Sequence, residues 1–275
     1  TTTDDDVAGF TIVESDGSTE VAESGTTDTF TIVLDAQPTS DVVLTVTSSD
    51  TGEATVTSSL TFTPANWDTP QTITITGVDD DIIDGTVTST ITISVVDASS
   101  NDNFDAVADQ TVSATTTDDD VAGFTIVESD GSTEVDESGT TDTVTVVLDA
   151  EPTSDVVLTI SSDDTGEATV NSPLTFTSAN WDTPQTITVT GVNDDLIDGD
   201  IVSTVTVVVD DANSNDDFDA VADQTVSVTT TDDDVAGFTI VESDGSTEVA
   251  ESGTTDTFTI VLDAQPTSDV VLTVT

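Results

Sequence analysis

The chain has 275 residues, of which 57 are Asp or Glu and none is Lys, Arg or His, giving a formal charge of −57. Such a charge excludes phosphate backbones and anionic lipid surfaces as partners and leaves cations, water and basic proteins. Cys and Tyr are missing as well, so only a carboxylate pair remains for acid–base work and an enzyme is not expected.

Apolar residues make up 34% of the chain and strand formers dominate, which separates it from a disordered acidic tail. There is no long apolar run and no leader pattern, so neither membrane insertion nor a processing segment is expected within these residues. Without cysteine there are no disulfides and no thiolate metal ligands.

The chain repeats itself. Trp67 recurs as Trp181, Phe10 as Phe124 and Phe238, and the run Asp4-Asp5-Asp6 as Asp118-Asp119-Asp120 and Asp232-Asp233-Asp234. The period of about 114 residues is too long for a solenoid and suits a self-contained domain. Residues 229–275 are identical to residues 1–47, whereas the middle copy differs at scattered places such as Ala22 against Asp136 and Asp79 against Asn193. The expected organisation is the end of a preceding repeat at 1–6, sandwiches at 7–120 and 121–234, and an incomplete third sandwich at 235–275. The pattern VVLTVT at the last residues runs on in both earlier copies, so further strands are expected to follow.

Within a repeat, apolar residues alternate with Thr and Ser at period two, the signature of strands with one buried face. In chain order the first copy predicts strands over 9–13, 29–34, 42–47, 54–56 with 60–62, 71–77, 87–95 and 110–116. Phe30, Ile32 and Leu34 share a face, as do Ile73 and Ile75, and Ile91, Ile93 and Val95. Turn signals fall between them at Asp16-Gly17, Glu23-Ser24-Gly25, Gln37-Pro38, Thr51-Gly52, Pro64 and Asp84-Gly85. About seven short strands per repeat read as tandem immunoglobulin-like antiparallel β-sandwich domains, an all-β fold. Trp67 and Trp181 each follow a turn, in PANW and SANW. They read as rings closing one end of the core, with surface carbohydrate stacking as the alternative. Outward Thr suits a pleated surface, or would accept O-linked sugar.

Acidic groups recur at fixed places. The first copy holds Glu23 before a strand, Asp50 and Glu53 in SSDTGE, Asp79, Asp80, Asp81 and Asp84 in GVDDDIIDG, and Asp118, Asp119 and Asp120 at the exit. Adjacent carboxylates either splay into water or converge on a hard cation that takes six to eight oxygens, as Ca²⁺ does. Two triplets per repeat, each at a strand end, favour Ca²⁺. The segments NDNFD, with Asn101, Asp102 and Asp105, and NDDFD, with Asn215, Asp216, Asp217 and Asp219, read as Asx turns or as a further site.

The runs VAESGTTDTFTIVL, LTFTPANWDTPQTITITGVDDDIIDG and TTTDDDVAGFTIVES resemble the Calx-β repeats of sodium–calcium exchangers, integrin β4 and very large bacterial surface proteins, the bacterial members most of all. The resemblance implies a seven-stranded sandwich with Ca²⁺ held by loops at one end. By position it implies Glu23, Asp79, Asp80, Asp81, Asp118, Asp119 and Asp120 as ligands in the first repeat, with Asp84 nearby and Asp50 in a loop that aligns poorly. In the second these become Glu137, Asn193, Asp194, Asp195, Asp232, Asp233 and Asp234, with Asp198 and Asp163 in the corresponding lesser places. Exchanger domains follow the middle aspartates with glutamates, where this chain has Ile82-Ile83-Asp84-Gly85. Fewer charged ligands imply weaker binding, near 10⁻⁴ to 10⁻³ M on the order-of-magnitude scale of extracellular modules.

The exit triplet leads into the next repeat without a Pro or Gly/Ser spacer, so a cation there would brace neighbouring repeats. The expected function is an extracellular, Ca²⁺-stiffened stalk or filament segment of a surface protein, serving adhesion, coating or matrix building. Its partners would be calcium ions and neighbouring copies of the repeat, including lateral assembly into fibres. A Ca²⁺ sensor, a glycan-binding module, and an acidic protein that merely holds water in salt are the competing expectations.

Overall fold

Thr alternating with Ile or Val gives each strand one apolar face, and two sheets stacked on those faces bury them together. The computed structural model describes residues 5–275 and is all-β, with two compact units, the first ending at residue 121 and the second spanning 122–275. Of the expected tail of a preceding repeat at 1–6, residues 1–4 lie outside the described residues.

Among the described residues the first unit holds nine strands: β1 Phe10–Glu14, β2 Thr19–Ala22, β3 Thr27–Leu34, β4 Val42–Ser48, β5 Ala54–Val56, β6 Ser59–Phe62, β7 Gln71–Gly77, β8 Val87–Val95 and β9 Gln110–Thr117. One sheet has the order β1-β3-β7-β5 and the other β2-β9-β8-β4-β6. Nine replaces the expected seven or so because β2 was not expected and because 54–56 with 60–62 forms two strands, β5 and β6, in different sheets. β1 pairs antiparallel with β3, and then β2 crosses over and pairs parallel with β9, Thr19 opposite Ala114 and Val21 opposite Thr116. The short TEVA stretch has only one apolar pair, too little alternation to announce a strand.

The period-two faces pack as expected. Phe30, Ile32, Ile73 and Ile75 of one sheet and Leu44, Phe62, Ile91 and Ile93 of the other are wholly buried. Each such side chain contributes about 1.5–3 kcal/mol through its removal from water. Register follows the same faces, Phe30 opposite Ile73 and Ile32 opposite Gln71. Trp67 is partly buried and packs against this core, and its carbonyl accepts the Leu34 N–H at 3.1 Å.

The second unit repeats this with β10 Phe124–Glu128, β11 Thr133–Asp136, β12 Thr141–Leu148, β13 Val156–Ser162, β14 Ala168–Val170, β15 Leu174–Phe176, β16 Gln185–Gly191, β17 Ile201–Val209 and β18 Gln224–Thr231. The sheet orders are β10-β12-β16-β14 and β11-β18-β17-β13-β15. The same unit ends in a hairpin of β19 Phe238–Glu242 and β20 Phe258–Leu262, which keeps the β1–β3 register with Phe238 opposite Leu262. Phe238 is 51% exposed where the identical Phe10 is 3% exposed, because no second sheet covers it among the described residues.

The NDNFD and NDDFD segments are turns. Asn101 caps a short 3-10 turn, accepting the Asn103 N–H at 3.1 Å while its amide donates to Thr39 Oγ1 and Ser40 Oγ at 2.7 and 3.1 Å. Asn215 does the same with Asp217, Thr153 and Ser154. With the amide so engaged, Asn101 and Asn215 serve the fold. No helix among the described residues is long and apolar enough to cross a membrane.

Candidate metal centre

The acidic side chains that meet in the first sandwich come from four strand ends. Glu23 follows β2, whose last residue lies so close to β7 that a Cβ on Gly77 would stand 2.0 Å from the Ala22 carbonyl oxygen. Only glycine permits that approach. The Glu23 N–H then donates to the Thr117 carbonyl at 3.1 Å, which aims its side chain inward at the end of the core.

Glu53 precedes β5, and its carbonyl accepts Val78 N–H at 2.9 Å and Thr116 Oγ1 at 3.4 Å. Asp80 and Asp84 stand on the loop between β7 and β8. The loop is shaped by Asp80 Oδ1, which accepts the Ile82 N–H at 2.8 Å, and by Gly85 in the left-handed region at φ 73°. Asp120 follows β9.

Ligand-capable oxygens of Glu23, Asp80 and Asp120 lie within 4.8 Å of one another, and so do those of Glu23, Glu53 and Asp84. Glu23 belongs to both groups. It is 1% exposed, and neither of its carboxylate oxygens has a hydrogen-bond donor among the described residues. Glu53 Oε2 and Asp120 Oδ2 are buried and lack donors as well.

The second sandwich repeats the arrangement with Glu137, Asp194 and Asp234 in one group and Glu167, Asp194 and Asp198 in the other. Here Asp194 is the shared member. Glu137 Oε1 and Oε2, Glu167 Oε2 and Asp234 Oδ2 are likewise buried without a donor.

Electrostatics follow from this crowding. Burial, and then the charges of Asp118, Asp80, Glu53 and Asp84, push the Glu23 carboxyl up from 4.5 to about 7. Burial with Asp194, Asp232, Glu167 and Asp198 pushes Glu137 to about 7. Glu53, Asp84 and Asp120 are raised by burial first and by neighbouring carboxylates second. So are Glu167 and Asp234. A buried carboxylate facing others must be protonated or meet a cation, and this chain has no basic side chain to supply one. Five carboxylates, three of them with buried oxygens that lack a donor, fit a hard divalent ion such as Ca²⁺, whose coordination is all oxygen.

Of the residues that the sequence singled out, Glu23, Asp80, Asp84 and Asp120 come together, as do Glu137, Asp194, Asp198 and Asp234. Asp118 and Asp232 stand beside them as braces, with both carboxylate oxygens taken by backbone N–H groups. Asp81, Asp119, Asp195 and Asp233 are exposed and add charge next to Asp120 or Asp234.

Asp79 and Asn193 are exposed and belong to neither group, and the Asn193 amide donates to the Asp194 carbonyl at 2.9 Å. Asp50 Oδ1 accepts the Gly52 N–H at 2.9 Å in its own turn. Its structural counterpart is Asp164, which accepts from Gly166 at 3.0 Å. Asp163 instead takes the place of Ser49, accepting the Thr204 N–H at 2.7 Å as Ser49 Oγ accepts that of Thr90 at 2.9 Å.

Glu53 and Glu167 are members that the ligand assignment from sequence left out. Their signal was the recurrence of TGEATV in both copies, a charged residue directly before a buried strand start.

No family model matches the chain, and no curated protein matches it. Solved structures do. CBD12 from CALX1.2 is similar at 13% identity and a TM-score of 0.32, over 79% of this chain and 99% of that one. Domains 4 and 5 of the S-layer protein SbsC are similar at 15% identity and a TM-score of 0.32, over 82% of this chain and 99% of that one. An endo-fucoidan hydrolase of glycoside hydrolase family 107 matches over 79% of this chain but 27% of its own, at 13% identity and a TM-score of 0.27.

Proposed function

We propose that the paired carboxylate groups bind Ca²⁺ as structural ions, and that the chain is a segment of an extracellular stalk or filament built from repeats bounded near residues 120 and 234. One observation carries the metal reading. Glu23 is 1% exposed with both oxygens unpartnered, among four further carboxylates, in a chain without Lys, Arg or His. The ligands are Glu23, Glu53, Asp80, Asp84 and Asp120 in the first sandwich, and Glu137, Glu167, Asp194, Asp198 and Asp234 in the second. The ions offset the repulsion that burial amplifies, so the sandwiches are fully stable only with the cation present.

The stalk reading rests on the near-identical repeats, the short passage from β9 to β10, and the lack of any Lys or Arg at which trypsin-like proteases cut. Stability in such an array adds up from repeats and their nearest-neighbour interfaces.

The test is a calorimetric melt of the full chain in 1 M NaCl, with chelator and with Ca²⁺, alongside small-angle scattering. For a site of about 1 mM affinity, 10 mM Ca²⁺ adds about 1.4 kcal/mol per ion. Melting temperature should rise with Ca²⁺ despite the high sodium, and the scattering curve should change on chelation. Equal melting temperatures in both buffers would defeat the metal reading and favour an acidic surface that holds water. An unchanged maximum dimension would defeat the stiffening alone.

A further inference from the structure

Alternation on β3 and β7 sends Phe30, Ile32, Ile73 and Ile75 into the core and the residues between them to the outer face of the sheet. There Thr27 stands opposite Thr76, Thr29 opposite Thr74 and Thr31 opposite Thr72, all partly or fully exposed. The second sandwich repeats the three pairs on β12 and β16, from Thr141 opposite Thr190 to Thr145 opposite Thr186. The edge strands of the first sheet extend the pattern with Thr11, Val13 and Thr55.

In a chain with 57 acidic residues, no strand residue pointing outward from this sheet is acidic in either sandwich. Glu14 and Asp28 share the parity of Phe10 and Phe30, the side toward the core. Asp35 stands at the rim, where it accepts the Thr11 hydroxyl at 2.7 Å. Strand propensity alone does not account for this, since the other sheet carries the exposed Glu20 and Glu134 on β2 and β11.

We propose that the outer face of the β1-β3-β7-β5 sheet, and of its counterpart β10-β12-β16-β14, is a lateral contact surface whose occupant is the same face of a second copy of this chain. Contact through the loops would bring the carboxylates of two copies together, with no basic side chain on either to pair them. On the threonine face hydroxyls meet hydroxyls, each both donor and acceptor, so the surface complements itself and a two-fold pairing satisfies both sides. A basic partner would be drawn to the acidic loops instead, and a sugar ring finds no aromatic side chain on this face to stack against. Four strands about 4.8 Å apart and about 20 Å long offer roughly 300–400 Å² per sandwich, about half of the 800 Å² per partner of a stable interface. One pair of sandwiches therefore holds weakly, and a chain of repeated faces gains strength by multiplying the contact. The inference goes beyond the stalk reading and draws on neither its ions nor its stiffness.

The experiment is sedimentation velocity of the full chain in Ca²⁺ buffer with 1 M NaCl, which screens the carboxylates. The original chain should self-associate, and more so than in dilute salt. Thr72→Glu with Thr186→Glu, at exposed positions of β7 and β16, should weaken association at least tenfold. Thr111→Glu with Thr225→Glu, the same charge on the outer face of the other sheet, should change it less than twofold. A chain that stays monomeric up to about 1 mM overturns the proposal. So do equal effects of the two pairs, which would move the contact elsewhere, for example to the exposed β19–β20 hairpin. The chain has no cysteine, so single cysteines give a second readout without added charge. Under oxidant, Thr72→Cys should form linked dimers at least fivefold faster than Thr111→Cys. If the glutamate pairs loosen a sandwich, the cysteine rates alone decide, a fivefold preference supporting the contact and equal rates overturning it.

Discussion

The Asp118 carboxylate accepts the Gly85 N–H at 2.8 Å through one oxygen and the Asp120 N–H at 2.7 Å through the other. A single side chain thereby ties the exit from β9 to the loop between β7 and β8, across a separation of 33 residues. Asp232 repeats this with Gly199 and Asp234, each at 2.8 Å. The three aspartates of the exit triplet thus have different duties. The first is a brace, the second is exposed, and the third turns a buried oxygen toward Glu23 and Asp80.

Asp118→Ala removes both acceptors and leaves two N–H groups to find water. In Ca²⁺ buffer the first sandwich should lose about 1–3 kcal/mol, and its Ca²⁺ affinity should drop at least tenfold because Asp120 is no longer held. Urea unfolding followed through Trp67, with Trp181→Phe as background, isolates the first sandwich. Unchanged affinity would show that Asp118 is a bystander.

Glu23→Gln replaces the most crowded carboxylate by a neutral side chain of equal size. In chelator at pH 7.5 the variant should be more stable than the original chain, by about 1–3 kcal/mol, since a desolvated charge among others is lost. The stabilisation by Ca²⁺ in the first sandwich should vanish. Opposite signs in the two buffers are the signature, read by the same urea titrations.

The pH dependence has a definite sign. Glu23 and Glu137 lie at about 7 in the folded state against an ordinary 4.5, so between these values the native state keeps protons that the unfolded chain has released. Their contribution is fully present below about pH 4.5 and is lost as pH rises through 7. In chelator, the urea midpoint should therefore be higher at pH 5 than at pH 8, and the charge of the whole chain pushes the same way. Ca²⁺ competes with those protons, so its stabilising effect should grow over the same interval. Asp28 and Asp142 act oppositely. Partly desolvated, they are nonetheless held below the usual carboxylate value by backbone N–H groups, those of Glu20 and Thr29 for Asp28 and of Glu134 and Thr143 for Asp142. Their support disappears as pH falls through their lowered values. A midpoint that rises from pH 5 to pH 8 in chelator would contradict the buried carboxylate picture.

Gly77→Ala tests the placement of Glu23. The added Cβ would meet the Ala22 carbonyl oxygen at 2.0 Å, so β2 has to move away from β7. The expected loss is about 3 kcal/mol or more, with Ca²⁺ binding to the first sandwich abolished and that to the second retained. Calorimetric titration would then count fewer ions per chain.

Asn101→Ala is the contrasting case. It leaves the Asn103 N–H and two hydroxyls without their partner and should cost about 1–2 kcal/mol. Ca²⁺ affinity should stay within twofold, because this turn serves the fold and not the ion. A marked fall in affinity would revive the NDNFD segment as a metal site.

The period of the repeat, the all-β class and the buried faces of β3, β7 and β8 were legible in the chain, because alternation at period two is a local property that survives without any knowledge of partners. Glu23, Asp80 and Asp120 could be singled out because each sits where an apolar pattern stops. β2 was not legible, since its pairing with β9 is parallel and its partner lies nearly a hundred residues away. Nor was the separation of Asp80 from Asp79 and Asp81, three identical side chains in a row whose directions depend on how the loop curls.

By itself the sequence determined that this chain folds as repeated sandwiches and that its carboxylates have only outside cations to balance them. Both follow from composition and periodicity, which are sums over residues. Which oxygens converge, and that Glu53 and Glu167 join them, were decided only by tertiary structure. Those facts are distances between strand ends far apart along the chain, set by the close approach at Gly77 and by the brace from Asp118 to Gly85.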